Sequence, residues 1–360
     1  MQTEIQTLIN GNRFQGWTDI SVTRTLGELC ADFSFGAINF PPEIVKGIKA
    51  HDSVEIVMFA DRTDWTIVTG YIDVVERSAN NQGRLFKFSG RDKTCDLVDC
   101  SAYYAKSSWY GRKLFSIILD LCGPYDIAVD LTDVESKDVK IDKFTIKAGE
   151  TVFQAIDRLC SAYNMLPLTN EYGDLRLTQV GSDLADTKLL FGANVVEGTF
   201  FEDYSGRYSF YQARGQSNGR GNEWLPDKIL LEGAALDLQV TRYRPLVFMT
   251  EKKENPTTIQ KRVNWEAQIR AGRAEGATVS VLGWLQEDKL SSRPWAINEL
   301  VIIKDEFFGI EAELIVSSVT FSVDPNQGKM TQLELSPPEI FQAEPADEIE
   351  LARKHSVRPD

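Results

Sequence analysis

The stretch Ser53–Ser89, SVEIVMFADRTDWTIVTGYIDVVERSANNQGRLFKFS, has a counterpart at Glu299–Leu335, ELVIIKDEFFGIEAELIVSSVTFSVDPNQGKMTQLEL. Each block opens on a short apolar run, Val54, Ile56 and Met58 in one and Val301, Ile302 and Ile303 in the other. A longer run follows, with Ile67, Val68, Ile72 and Val74 matched by Leu314, Val316, Val319 and Phe321. Both then turn on the same tripeptide, Asn81-Gln82-Gly83 and Asn326-Gln327-Gly328, and close on a third strand (Phe86, Phe88; Leu333, Leu335). Apolar alternation bounded by Asn and Gly is the pattern of strand, turn, strand. A β module that occurs twice, with no catalytic residues around it, reads as something built around rather than something that reacts.

Composition bounds what surrounds the repeat. At 360 residues the chain is long enough for two to four domains. No stretch reaches the roughly 18 uninterrupted apolar residues that span a bilayer. Met1-Gln2-Thr3-Glu4 lacks the basic and apolar regions of a secretory signal, so synthesis and folding are expected in a cytoplasm. Five cysteines without C-x-x-C spacing suggest reduced, mostly buried thiols, neither a disulfide framework nor a zinc site. The formal charge of −14 argues against a nucleic-acid-binding surface over the whole molecule. Arg207–Arg273 runs the other way, with 12 Lys/Arg against 7 Asp/Glu.

Along the chain, residues 1–100 read as mostly strand, with alternation at Thr18–Val22 and Phe33–Phe35 and a single helical turn allowed at Glu43–Lys49. Short strands at even spacing suggest a small barrel or sandwich. Residues 101–180 change character. A helical stripe at Gly111–Leu121 is stopped by Gly123-Pro124. Ile127–Val129 and Lys143–Ile146 read as strands around a polar loop, Thr132–Asp142. Thr151–Tyr163 carries the strongest helical periodicity, with Val152, Ile156, Leu159 and Tyr163 on one face. Met165–Leu168 and Leu175–Val180 flank a turn. Strands return at Arg207–Ala213 and Leu236–Val240 on either side of a glycine-rich loop, Gly215–Asn222. Thr257–Glu275 reads as a helix with Ile259, Val263, Ala267, Ala271 and Ala274 on one narrow stripe. Strands then run from Ala277–Trp284 to Leu335, Ser336-Pro337-Pro338 ends the globular part, and the remainder is a charged tail.

No catalytic, cofactor or metal residues are assigned. The two histidines, His51 and His355, have no nucleophile elbow near them and cannot build a multi-histidine metal site. The glycines of Gly215–Gly221 lack the lysine and the helix of a phosphate-binding loop. Acidic neighbours such as Asp61/Asp64 and Glu202/Asp203 read as charges in polar loops.

The order of several further motifs carries a resemblance. Phe88-Ser89-Gly90-Arg91-Asp92 is followed by Leu97-Val98-Asp99-Cys100-Ser101-Ala102, by the helix start Lys147-Ala148-Gly149-Glu150-Thr151-Val152-Phe153-Gln154-Ala155-Ile156, by Gly173-Asp174-Leu175-Arg176-Leu177, and by Leu333-Glu334-Leu335-Ser336-Pro337-Pro338-Glu339. Over about residues 1–340 this resembles the baseplate hub proteins of Mu-like phages, the 43 kDa tail protein or P protein family. It is similar more distantly to the hub of phage T4, to late control proteins of P2-like phages and to the hub region of type VI secretion spikes.

The resemblance implies an α+β, predominantly β fold, with two related antiparallel β-barrel tube domains and α+β domains packed outside. The expected division is a first tube domain at 1–100, a small α+β domain at 101–180, a second tube domain at 181–336 with a helical insertion at about 257–275, and an exposed tail at 337–360. It implies a non-enzymatic hub without cofactors. A homotrimer would present six barrels around a channel, with the tail tube protein above, the central spike protein below, other baseplate proteins alongside, DNA passing through without specific binding, and no membrane insertion. Such a chain belongs in the virion tail baseplate. Arg262, Trp265, Arg270 and Arg273 on the Thr257–Arg273 helix are the expected intersubunit contacts, the alternative being that Trp265 covers the core of its own domain. A different reading attaches to residues 147–163, whose Ala-Gly-Glu-Thr-Val start is similar to a LysM module and would imply a peptidoglycan-binding or peptidoglycan-degrading tail protein.

Overall fold

A computed structural model of the chain describes residues 4–60, 63–81, 83–131, 139–181, 183–218, 228–250, 255–287, 292–325 and 327–343. They form two compact units. One draws on 1–160, 165–199 and 277–335, and the other on 161–164, 200–276 and 336–360.

The first unit begins with β1 (Glu4–Ile9), β2 (Asn12–Phe14), β3 (Asp19–Thr25) and β4 (Asp32–Ile38). A short helix α1 (Pro42–Gly47) follows, then β5 (Ser53–Ala60), β6 (Thr63–Asn80) and β7 (Gly83–Asp92). The helix starts on Pro42, whose fixed φ suits a first turn. Alternation sends Val22, Phe33, Phe35 and Phe88 to one face, where all are buried. Phe35 and Phe88 stack at 5.0 Å between ring centroids, and Trp17 meets both edge-on. The strands of β6 and β7 approach so closely that a Cβ on Gly70 would lie 1.9 Å from the Arg91 carbonyl oxygen, and one on Gly90 1.9 Å from that of Tyr71.

Next come α2 (Cys95–Asp99), β8 (Ser108–Lys113), α3 (Leu114–Cys122), β9 (Val129–Asp130), β10 (Lys140–Thr145), α4 (Val152–Ser161), β11 (Leu166–Thr169) and β12 (Leu175–Thr178). The helix expected from Gly111 begins instead at Leu114, because residues 108–113 pair with β10. Gly123-Pro124 does not stop that helix abruptly. It continues as one 3-10 turn, and the reversal falls at Asp126, which adopts φ 55°. The strand expected at Ile127–Val129 is displaced to β9. Lys140–Asp142, read as loop, is strand, and residues 132–138 of that loop lie outside the described residues. Thr151 and Gln154 cap α4 reciprocally, each side chain accepting from the other's backbone N–H.

After β13 (Asp183–Leu184), β14 (Leu189–Leu190) and β15 (Val195–Glu202) the chain enters the second unit with β16 (Phe210–Asn218), β17 (Lys228–Leu236), β18 (Pro245–Met249) and α5 (Pro256–Arg273). Here β16 pairs antiparallel with β17 and parallel with β18. Tyr211 and Ala213 on β16 pack against Ile259 and Val263 on α5. The strand expected at Leu236–Val240 ends at Leu236. Asp237 turns away and binds the buried Arg207 guanidinium, with Nε donating to Oδ2 at 2.5 Å. The loop expected at Gly215–Asn222 is strand as far as Asn218, and 219–222 lie outside the described residues. Asn255 caps α5, accepting from the N–H groups of Thr257 and Thr258 at 2.8 and 2.9 Å.

The chain then returns through β19 (Glu275–Leu282), β20 (Leu285–Glu287), β21 (Ser292–Pro294), β22 (Glu299–Asp305), β23 (Ile310–Asp324) and β24 (Gly328–Ser336). The globular part does not stop at Pro338. Pro338–Phe341 forms a 3-10 turn whose Ile340 sits against Gly272 of α5, while tail residues 344–360 lie outside the described residues.

A single 14-stranded sheet contains both blocks read from the sequence, in the order β15-β19-β24-β23-β3-β4-β7-β6-β5-β1-β2, with β22 paired to β23. The repeat is longer than the sequence displayed. The neighbours β3-β4-β7-β6-β5 recur in the same chain order as β15-β19-β24-β23-β22. Registers agree as well: Phe35 faces Phe88 in one module, and Val279 faces Leu333 in the other. In each, a long central strand (β6 or β23) gives its first half to the short strand before it. The fold is predominantly β, as expected.

Candidate assembly interface

The described residues hold no cluster of three or more His, Cys, Asp or Glu able to bind a metal. His51 sits at a turn with φ 73°, its backbone N–H donating to Ile72. His355 and Asp61 lie outside the described residues. The Asp203 carboxylate accepts from the Ser205 N–H at 2.8 Å, which holds its pKa below the ordinary value and makes it a turn cap. The cysteines are free thiols. Burial pushes Cys30 up to about 11 and Cys95 and Cys122 up to about 12, the wrong direction for a nucleophile. No helix among the described residues is long and apolar enough to cross a membrane.

What the sheet does present is a polar face. Opposite the aromatic core, β3 carries Ser21, Thr23 and Thr25, β23 carries Ser318, Thr320 and Ser322, and β4 and β7 add Ser34 and Ser89. These residues pair across the strands: Ser21 with Ser322, Thr23 with Thr320, Ser21 with Ser34, and Ser34 with Ser89. Thr23 and Thr320 share a hydrogen bond at 3.1 Å, and Thr25 and Ser318 another at 3.2 Å. Short hydroxyl side chains make this face low in relief. A shallow hollow of about 360 Å³ in it is lined by Ser21, Thr23, Ser34 and Ser89 with Asp32 and Arg91 at its side. Arg91 is tied down, donating to Asp73 at 2.9 Å and to both carboxylate oxygens of Asp99.

Beneath the sheet a polar cluster fastens the residues 94–179 region to it. The Asp92 carboxylate accepts from the backbone N–H of Ala31 and of Thr94, both at 2.9 Å, and from the Thr94 hydroxyl at 2.6 Å. Burial raises the Asp92 pKa, against the opposing pull of those hydrogen bonds and of the Arg24 charge. Arg24 donates to the Ile67 carbonyl at 2.6 Å, and Lys93 pairs with Asp174 at 3.3 Å. Sequence patterns could not find this cluster, because Asp92 and Arg24 sit in strand positions that alternation alone labels core or edge.

The four residues expected at an intersubunit contact are on α5, but three of them serve their own unit. Trp265 donates Nε1 to the Gln342 carbonyl at 3.0 Å, and the Arg262 guanidinium lies 5.0 Å from the Trp265 ring. Arg270 pairs with Glu266 at 2.7 Å, one helical turn away, and donates to the Gly206 carbonyl at 3.2 Å. Arg273 is exposed.

Three family models match the chain in sequence. Residues 4–92 match the N-terminal domain of the Mu phage baseplate assembly protein GpP-like family. Residues 94–179 match the second domain of the baseplate hub protein gp44-like family, and residues 255–344 the fourth domain of Mu phage baseplate assembly protein GpP. The baseplate hub protein gp44 of Escherichia phage Mu is 31% identical over 349 residues, 95% of this chain and 89% of that protein. The chain belongs to the Mu-type phage baseplate hub proteins. Solved structures of phage tail proteins share the fold. The 43 kDa tail protein of prophage MuSo2 from Shewanella oneidensis aligns over 94% of the chain and 99% of its own, with a TM-score of 0.80 at 26% identity. A tail protein from Neisseria meningitidis MC58 shares the fold, with a TM-score of 0.75 at 20% identity over 95% of the chain and 98% of its own. The helix at Val152–Ser161, read alternatively as a LysM start, lies within the hub second-domain match and buries Val152, Ala155, Ile156 and Leu159 in its own core.

Proposed function

We propose that this hub protein is a structural, non-enzymatic adapter whose copies close into a three-fold ring, joining the tail tube to the central spike around a DNA channel. The observation that carries the reading is the doubled five-strand module and its internal junction. Within one chain, β23 of the second module pairs antiparallel with β3 of the first. An interface between unlike surfaces either closes into a ring or runs on as a filament. Two like modules per chain mean that three chains supply six similar positions toward a six-fold tube while keeping true three-fold symmetry toward a spike. The tube domains then correspond to about 1–100 and 181–336, with 101–180 outside them.

The hydroxyl face of the sheet is the proposed channel wall. Small neutral side chains offer a passing phosphate backbone no cationic well in which to stop. Assembly with other baseplate proteins, in the virion tail after synthesis in the host cytoplasm, completes the reading. Light scattering should give three times the chain mass of 40.5 kDa. A protomer at every concentration overturns the ring. Peptidoglycan pull-down and turbidity assays should show neither binding nor lysis.

A further inference from the structure

Given the ring proposed above, we infer that copies join by adding β15 of one chain, antiparallel, to the free half-edge of β6 in the next, at a register set by the junction already present inside each chain. The two modules are not in equal surroundings. The second half of β23 is flanked by β24 on one side and β3 on the other, and Ser318 is 5% exposed. Its counterpart in the first module, the second half of β6, has β7 on one side. Pairing with β5 reaches Tyr71, and Ile72 still exchanges backbone bonds with His51 and Asp52; beyond Ile72 no strand among the described residues takes the other edge, and the Arg77 side chain reaches to the Val45 and Ile48 carbonyls. Val74, where the second module has buried Ser318, is 47% exposed, and Asp73, Glu76, Ser78 and Ala79 are exposed too. A long uncovered edge with apolar residues is an invitation to pairing that folded proteins ordinarily block.

The strand that would fill this edge is identified by the same comparison. What covers β23 is β3, the outermost strand of the first module. The strand in that place in the second module is β15, which pairs with β19 on one side; on its other side an isolated bridge from Val195 to Phe191 is the pairing seen among the described residues. Val196 on β15 is 57% exposed. So each chain carries one half-filled edge on β6 and, in β15, one strand that has a neighbouring strand on one side, and they are the two halves of a junction it already makes once internally. Copying that junction between chains satisfies both.

The register follows. Phe88 and Leu333 are equivalent through their partners Phe35 and Val279. Ser78 faces Leu85, three residues before Phe88, and the Ser322 hydroxyl donates to the carbonyl of Met330, three residues before Leu333, so Ser78 takes the place of Ser322 in the second module. On the other strand, Asp203 donates its backbone N–H to the Ala274 carbonyl, and counting back along the antiparallel pair sets Gly198 opposite Val279 as Ile20 is opposite Phe35, so Thr199 takes the place of Ser21. Ser322 and Ser21 are Cα partners inside the chain. Ser78 of one copy is therefore placed opposite Thr199 of the next, both on the polar face.

The test uses full-length Ser78→Cys and Thr199→Cys variants, both at exposed positions, mixed after separate purification and treated with a short thiol crosslinker. A crosslinked dimer should form in the mixture at least tenfold faster than in either variant alone or in wild type, which controls for the native thiols. Replacing Thr199→Cys by Ser21→Cys should abolish it, since that position is already occupied by β23. A mixture of three-fold mass without the mixed crosslink, or with equal self-crosslinking of one variant, overturns this junction and leaves the ring standing. Protomer mass with no crosslink at any concentration overturns both. A mixed crosslink in a particle of another mass supports the junction and overturns the three-fold count.

Discussion

Thr23 and Thr320, separated by 297 residues of chain, hold their hydroxyls 3.1 Å apart where the two β modules meet. The opposite face of the same junction is apolar. Val22 is fully buried against Phe321, which is 3% exposed and lies 5.2 Å from the Trp284 ring. The two faces should contribute unequally. Truncating a buried aromatic ring costs about 3–5 kcal/mol, whereas a solvent-side hydroxyl pair is worth about 1 kcal/mol. Phe321→Ala is expected to lose the larger amount and Thr320→Ala the smaller, read as shifts in urea midpoint. Equal losses would mean that the hydroxyl ladder, and not the core, holds the modules together.

Glycine substitutions separate backbone crowding from backbone strain. A Cβ on Gly90 meets the Tyr71 carbonyl at 1.9 Å and the Phe33 ring at 2.7 Å, and neither can move without parting β6 from β7. Gly90→Ala should therefore cost roughly 3 kcal/mol or more and lower soluble yield. Gly283 has φ 78° with nothing near its Cβ position, so Gly283→Ala should cost only the left-handed penalty of about 1–2 kcal/mol. Thermal unfolding of the two variants side by side checks the ranking.

The repeat was legible in sequence only where both copies alternate. Val54, Ile56 and Met58 and the strand after Asn81-Gln82-Gly83 match their counterparts because they face the same kind of core. The outer two strands of each module escaped notice. In the first module β3 and β4 are separated by a short loop, whereas in the second the whole of β16–α5 lies between β15 and β19. An insertion of that size hides a structural repeat from any reading that follows spacing. The surroundings of α5 were hidden for a related reason. Periodicity shows which side of a helix is apolar, but it cannot show that Trp265 finds a hydrogen-bond partner as distant as Gln342. The helix itself was readable over Thr257–Arg273, but the reading ran on to Glu275, which begins β19, and did not see the Asn255 cap.

Stability should carry a pH signature from Asp92. Its pKa is raised in the folded protein by burial, so the folded state holds this proton more tightly than the unfolded chain does. The sign is that of a raised carboxyl: its favourable contribution is present below the unfolded value of about 3.9 and is lost as pH climbs through the folded one. Asp92→Asn removes the titration, and its amide group also meets the Ala31 and Thr94 donors with one acceptor fewer. The stability difference between wild type and Asp92→Asn should therefore shrink as pH rises from 4 to 7. Denaturation midpoints across that range check it, and a difference that grows with pH would mean that the hydrogen bonds outweigh burial.

Assembly and folding can be told apart on α5. Trp265 is half-buried and holds the segment after Pro338 through Gln342, so Trp265→Ala should cost roughly 1–3 kcal/mol in the stability of its own unit. Arg270→Ala removes the Glu266 pair and the bond to Gly206, and its effect on assembly would be confounded in the same way. Arg273 is exposed at the last turn, where a cation suits the helix dipole. Arg273→Glu should leave the unfolding midpoint within about 0.5 kcal/mol of wild type, plus a small dipole term. If the outer side of α5 meets a neighbouring copy, that same variant lowers the fraction of three-fold particles at limiting concentration. Unfolding curves and light scattering on the same samples decide it: loss of assembly at unchanged stability places Arg273 in the contact, and unchanged assembly removes α5 from it.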